Sequence, residues 1–240
     1  MKLQRLYSYT RQAADKYGMI EDGDRIAVGV SGGKDSLTLL YALAGMRSFY
    51  PAKYSIEAII IDLGSDSPDY VYIKDLCKHL DVNLHIVYTQ ISSIVFDERK
   101  EQGPCSLCSK LRTGALNEKA LELGCNKVAY AHHKDDIIET MMLSLMYEGR
   151  FSTFLPVTKW EKTGLTLIRP LMLISESEII GFSNKYNLPI MKNPCIADGN
   201  TKREYVKELL KKLNLENPGV KNRMFRAILN GNIEGWPNEK

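Results

Sequence analysis

Nowhere in the 240 residues do apolar side chains run uninterrupted for the roughly 18 to 20 positions that a membrane-crossing helix needs. The first 20 residues mix charges with aromatics instead of forming an apolar leader, so secretion and membrane insertion are not expected. Cysteine is scarce as well. The five present (Cys77, Cys105, Cys108, Cys125, Cys195) are an odd set in a chain large enough to bury a core without staples, which argues against a disulfide scaffold and for a reducing cytoplasm. An excess of one charge is also missing. The 32 Lys and Arg against 29 Asp and Glu leave +3, too little to mark a nucleic-acid partner by composition alone. Repeats, low-complexity tracts and long linkers are absent, so the chain reads as one globular domain of generous size.

What is present is an alternation. Short runs rich in Ile and Val are separated by longer stretches of helical period, the pattern of parallel strands joined by crossover helices. Strands are expected at Arg25 to Val30, Ser55 to Asp62, Asn83 to Tyr88, Lys127 to Ala131 and Leu165 to Leu171. The second is apolar almost throughout, as a central strand covered on both faces should be. The spacing predicts helices over 36–46, 69–80, 107–123, 134–147, 175–187 and 202–213. The fold class is therefore α/β, a parallel five-stranded sheet with helices on both faces. Residues 1–20 are expected as a helix packed on that core, 21–199 as the core itself, and 200–240 as a helical appendage. Seven Lys and Arg against three Asp and Glu between Lys202 and Arg223 make the appendage locally basic.

The first strand runs through Ser31-Gly32-Gly33-Lys34-Asp35-Ser36 directly into a helix. Glycines let the main chain approach an anion, the helix N-terminus supplies partial positive charge, Lys34 adds a full one, and Ser31 and Ser36 add hydroxyl donors. The pattern is not a Walker A loop, because Val28 stands where its first glycine belongs and Asp35 follows the lysine. Nor is it the Gly-x-Gly-x-x-Gly dinucleotide fingerprint. It is complete, however, for Ser-Gly-Gly-x-Asp-Ser, and here the chain resembles the PP-loop ATP pyrophosphatase superfamily, a Rossmann-like fold. The resemblance implies cleavage of ATP between its α and β phosphates, Mg²⁺ as helper, and adenine beside the end of the second strand at Ile61, Asp62 and Leu63.

Cys105 and Cys108 lie three apart where a helix opens, and Cys195 follows far downstream in a Pro-flanked loop. Three thiolates can hold zinc with an open position or an iron–sulfur cluster with one iron not bound by protein; two can form a catalytic disulfide; and they can hold no metal at all. Spacing does not choose among these. Cys77 and Cys125 fall in or just after apolar helices and read as buried structural residues.

Three longer motifs narrow the resemblance: Cys105 to Arg112, Ala131 to Thr140 with its His132-His133-Lys134-Asp135-Asp136, and Leu167-Ile168-Arg169-Pro170-Leu171. With the phosphate turn they are similar, in order and over most of the chain, to the tRNA 2-thiocytidine synthetase family. That resemblance implies thiolation of a tRNA cytidine with ATP and a 4Fe-4S cluster held by Cys105, Cys108 and Cys195. It also implies a sulfur donor such as a cysteine desulfurase or free sulfide, and leaves monomer and homodimer open. One departure is visible, since this chain has a single cysteine in Asn193-Pro194-Cys195-Ile196 where relatives carry a close pair.

In the histidine and aspartate run, Asp135 and Glu139 share a helix face while Asp136 points about 100° away. Asp135 is the residue expected to contact Mg²⁺ or ATP, and His132 to contact the nucleotide. Arg112, one turn beyond Cys108, is placed to stabilise charge at a reacting carbonyl. The catalytic set expected is thus Asp135, Arg112 and Lys34. Two readings compete: a PP-loop ligase acting on another base or acid without a cluster, and an ATP-binding or redox-sensing module that modifies no substrate.

Overall fold

The structure is a computed structural model that describes residues 1–64, 69–98, 104–191 and 201–231. Its strands are β1 (Arg25–Gly29), β2 (Ser55–Asp62), β3 (Asn83–Tyr88), β4 (Lys127–Ala129), β5 (Val157–Lys159) and β6 (Thr166–Ile168). The principal helices are α1 (Leu3–Lys16), α2 (Lys34–Met46), α3 (Val71–His79), α5 (Pro104–Glu122), α6 (Lys134–Leu143), α7 (Glu176–Lys185), α8 (Lys202–Glu216) and α9 (Val220–Asn230). A single turn, α4 (Ile91–Ser93), precedes α5 and continues as a π-helical turn. Among the described residues no helix is long and apolar enough to cross a membrane.

The sheet has six strands, not five, in the order β3-β2-β1-β4-β6-β5. The five expected strands are the parallel ones; the sixth, β5, runs antiparallel against β6 at the edge. Its three residues, Val-Thr-Lys, carry no alternating pattern long enough to announce a strand, and pairing with β6 alone defines it. Past α8 the chain continues into a further helix, α9.

Alternation along the central strands divides the core in two. Ile26, Val28 and Val30 with Ile56, Ala58 and Ile60 face the larger layer, which holds α1, α2, α6 and α7. Ala27 and Ile59 point the other way, onto Leu116 and Ala120 of α5. Gly29 belongs to this second face: a side-chain carbon there would come within 3.0 Å of Leu116 Cδ2, so its absence lets α5 lie close to β1. Helix α2 is buried on most of its circumference, from Ser36 to Met46, as the helix between a parallel sheet and an outer layer must be. The basic C-terminal helices are tied into the larger layer too, through Val206, Leu210, Phe225 and Ile228.

Strand order places the site. From β1 the chain crosses to β2 on one side, while β4 lies on the other, so the carboxyl ends of β1 and β4 flank a crevice that no crossover covers. The phosphate turn leaves β1 there, and His132 and His133 follow β4.

Candidate active site

A cleft of about 520 Å³ opens at this switch point. Val30, Ser31, Asp35 and Ser36 form its floor, and Ile59, Ile61, Leu63 and Phe96 an apolar wall. Cys105, Cys108 and Arg112 face it from α5, and Tyr130, His132 and Asp136 from the end of β4 and the start of α6.

The floor is built by the serines. Ser36 Oγ donates to Gly33 O (3.0 Å) and accepts from Ser31 N (3.1 Å), while Gly33 N donates to Ser31 Oγ at 3.3 Å. Gly33 is the N-cap residue of α2, so the first amides of that helix open beside the turn without intrahelical acceptors. Gly32 adopts φ +79, the left-handed region, and a β-carbon there would sit 3.1 Å from Met191 Cβ. Met191 N donates to Gly32 O at 2.9 Å, so the strand of chain after α7 closes over the outside of the turn.

Carboxylates border this floor. Asp35 Oδ1 is buried with no hydrogen-bond partner, and it lies 3.7 Å from His133 Nε2. His133 caps α6: its Nδ1 accepts from Asp136 N (3.3 Å), and Asp136 Oδ2 accepts from His133 N (2.9 Å), a reciprocal capping box. Asp35 and Asp136 are therefore held to either side of one imidazole, both on the cleft. Lys34 turns outward, between Asp35 (3.0 Å) and Glu176 (3.2 Å). Burial works against its ammonium, and the two carboxylates outweigh that, so its pKa rises. Glu176, for its part, is pulled down to about 2: burial favours its neutral form, but Lys207 and Lys34 both pair with it.

The far wall is a stack. The His132 ring lies on Phe154, centroids 4.1 Å apart and nearly parallel at 10°, with Tyr130 edge-on at 5.7 Å. Arg169, only 6% exposed, donates from Nε to His132 Nδ1 (3.0 Å), donates from Nη1 to Leu155 O, and lies 5.1 Å from the Phe154 centroid. A guanidinium cannot accept, so His132 Nδ1 must be the unprotonated nitrogen, and the remaining ring proton sits on Nε2. Burial, then Arg169, push the His132 pKa down to about 3. The ring is a neutral hydrogen-bond donor on the cleft wall. Burial also lowers Arg169, to about 10, leaving it cationic at neutral pH.

Cys105 and Cys108, one turn apart, present an exposed and a half-buried sulfur to the same space, and Arg112 follows one turn on. Cys77 and Cys125 are buried, and burial raises both thiols to about 11, so they stay protonated and inert.

The PP-loop domain family matches residues 4–213. The chain belongs to the PP-loop family. Its PP-loop relatives include tRNA-cytidine(32) 2-sulfurtransferases. That of Geotalea daltonii is 38% identical over 95% of this chain and 91% of the relative. That of Geobacter sulfurreducens is 35% identical over 98% and 91%. Among solved structures, the U34-tRNA thiolase NcsA from Methanococcus maripaludis with its [4Fe-4S] cluster superposes with a TM-score of 0.74 at 24% identity, covering 92% of this chain and 76% of that one. The NH3-dependent NAD synthetase of Campylobacter jejuni gives 0.53 at 14% identity, covering 100% and 99%, and shares the fold.

Within this PP-loop scaffold the structure brings Ser31, Asp35, Ser36, Ile61, His132, Arg112, Cys105 and Cys108 to one cleft. Gly32, Gly33 and Lys34 shape the turn from behind. Asp62 is set back, accepting from Gly64 N (2.8 Å) and Tyr70 OH (3.1 Å). Asp135 is placed elsewhere than expected: its oxygens accept from Lys221 Nζ (2.9 Å) and Glu176 N (2.8 Å), on the side of α6 that meets α7 and α9. The 100° step along the helix, not proximity in sequence, decides this, and puts Asp136 on the cleft. Cys195 lies outside the described residues. Among those described no three His, Cys, Asp or Glu side chains converge as a metal site. Arg169 and Phe154 were not anticipated as site residues. The only sequence signal for Arg169 was an arginine in an otherwise apolar strand end, Leu167-Ile168-Arg169-Pro170-Leu171.

Proposed function

We propose that this chain is an ATP-dependent tRNA sulfurtransferase that converts a cytidine to 2-thiocytidine, releasing AMP and pyrophosphate. One observation carries the reading: the phosphate turn and the thiols of Cys105 and Cys108 face a single cleft, so an activated base and a sulfur source meet without a second site. A ligase without sulfur chemistry would leave that pair of thiols without a task.

The residues present fit the groups such a reaction needs. The unpartnered Asp35 Oδ1 at the phosphate turn suits a hard cation such as Mg²⁺, which would neutralise phosphate charge. Two sulfurs on one helix face suit a soft iron–sulfur centre, with Cys195 as the third ligand; such a 4Fe-4S cluster, when bound, supplies an iron open to incoming sulfide. The chain's own residues do the rest. Ser31, Ser36 and the α2 amides hold the phosphates, and the Ile59, Ile61 and Leu63 wall receives the adenine. Cytosine O2 is a poor leaving group, and its adenylation with loss of pyrophosphate makes it a good one; sulfide then displaces AMP. Arg112 and the His132 Nε2 proton are donors for the oxygen on which charge develops. A reducing cytoplasm would keep the thiols available, with free sulfide as the source, or a desulfurase-bound persulfide whose outer sulfur is released as sulfide by two cellular thiols that become a disulfide.

Anaerobic purification followed by iron and sulfide analysis, ATP binding and tRNA thiolation tests this. Cys105→Ala is expected to lose the iron and the thiolation and to bind ATP as before. A colourless, iron-free protein that thiolates tRNA fully, or Cys105→Ala with unchanged thiolation, would overturn the cluster role.

A further inference from the structure

Three of the exposed large aromatics among the described residues belong to two segments that meet, the chain that follows α6 and the first turns of α8. Phe151 is 74% exposed, Tyr147 45% and Tyr205 58%. None of the three packs into the apolar core, and cations lie nearby. Lys202 Nζ lies 4.5 Å from the Tyr147 centroid, which puts α8 against the end of α6. Tyr205 is one turn along α8 from Lys202, on the same side of that helix. Arg150, beside Phe151, is largely exposed and pairs at 2.6 Å with Glu148, which also accepts from Ser144 Oγ.

The chain then leads to the cleft. Helix α6 continues as a π-helical turn over Ser144–Glu148, Gly149 at φ +63 ends that turn, and Thr153 Oγ1 ties the chain back by donating to Ile137 O at 2.7 Å. One residue later Phe154 is stacked on His132 at the cleft wall. Phe151 and Phe154 are three positions apart, at most about 11 Å of chain. A base resting on Phe151 would be a near neighbour of one inside the cleft.

We propose that Tyr147, Phe151 and Tyr205, with the neighbouring cations Lys202 and Arg150, form a stacking platform for single-stranded loop nucleotides of the RNA substrate, next to the nucleotide that enters the cleft. The proposal rests on the sulfurtransferase reading above. Exposed rings flanked by cations suit unpaired bases and their phosphates; a duplex has its bases already stacked and offers only phosphates.

The test compares wild type with Phe151→Ala, Tyr147→Ala and Lys202→Ala, using a synthetic anticodon stem-loop and a blunt RNA duplex as probes. Each aromatic substitution is expected to weaken stem-loop binding roughly 5- to 150-fold while duplex binding and ATP affinity stay unchanged. Lys202→Ala is expected to lower the slope of log K against log salt by about 0.7. Wild-type binding of the stem-loop with unchanged affinity in all three variants would overturn the platform and leave the sulfurtransferase reading standing. Altered self-association with unchanged RNA affinity would assign the face to a protein contact and overturn the proposal equally. Failure of the wild-type protein to bind or thiolate RNA at all would overturn both.

Discussion

His132 gives the sharpest quantitative test of the cleft wall. In an unfolded chain a histidine takes a proton near pH 6.5; here burial and Arg169 hold that event down to about 3. Between those values the unfolded state binds one more proton than the folded state, so this group's contribution is fully present above pH 6.5 and is lost as the pH falls toward 3. The slope is about 1.4 kcal/mol per pH unit, so lowering the pH from 6.5 to 4.5 should cost the native state roughly 2 to 3 kcal/mol through this residue. His132→Gln stays neutral throughout and removes that dependence. Other groups titrate in the same range: Glu176, held at about 2, adds a loss below pH 4.5, and Glu139, raised by burial and by Asp136, acts in the opposite sense. The difference between wild type and variant isolates His132. Urea unfolding followed by circular dichroism at pH 7.5, 6.5, 5.5 and 4.5 should show the two stability curves converging as the pH falls. Parallel curves would refute the account. So would a nitrogen NMR spectrum placing the proton on Nδ1 or showing titration near pH 6.5, and with four histidines in the chain that signal is readily assigned.

Other outcomes are expected elsewhere. Gly32→Ala should destabilise by about 1 to 2 kcal/mol, from its left-handed backbone and the 3.1 Å approach to Met191, and should also weaken nucleotide binding; calorimetry with ATP and a urea midpoint check both. Arg203→Met removes the partner of Glu139 (3.2 Å) and of Thr140 Oγ1 (3.0 Å), leaving a carboxylate only 4% exposed. A loss of about 1 to 3 kcal/mol in unfolding free energy is expected, toward the low end because Arg203 itself is well exposed. In protein stripped of any cluster, a thiol reagent under native conditions should label Cys105 ahead of Cys108 and reach Cys77 and Cys125 only on unfolding; mass spectrometry after a timed pulse reads the order.

The amino-acid sequence by itself determined the features that depend on near neighbours. The run from Arg25 through Ser36 is a buried strand, a glycine turn and a helix start in consecutive residues, so its anion-binding character is local and legible. The parallel strands announced themselves by short apolar runs, most plainly in β2, which is buried over nearly its whole length. The one-turn spacing of Cys105 and Cys108 was equally local. Tertiary structure decided what distant segments do to one another. Three-residue β5 exists only because β6 offers an edge. Asp135 and Asp136 differ by one position in sequence, yet α7 and α9 claim the first and the cleft receives the second. His132 owes its proton position to Arg169, 37 residues away, and its ring to Phe154. Helix phase and strand pairing convert small sequence steps into opposite directions in space, and that conversion becomes fixed only when the layers pack.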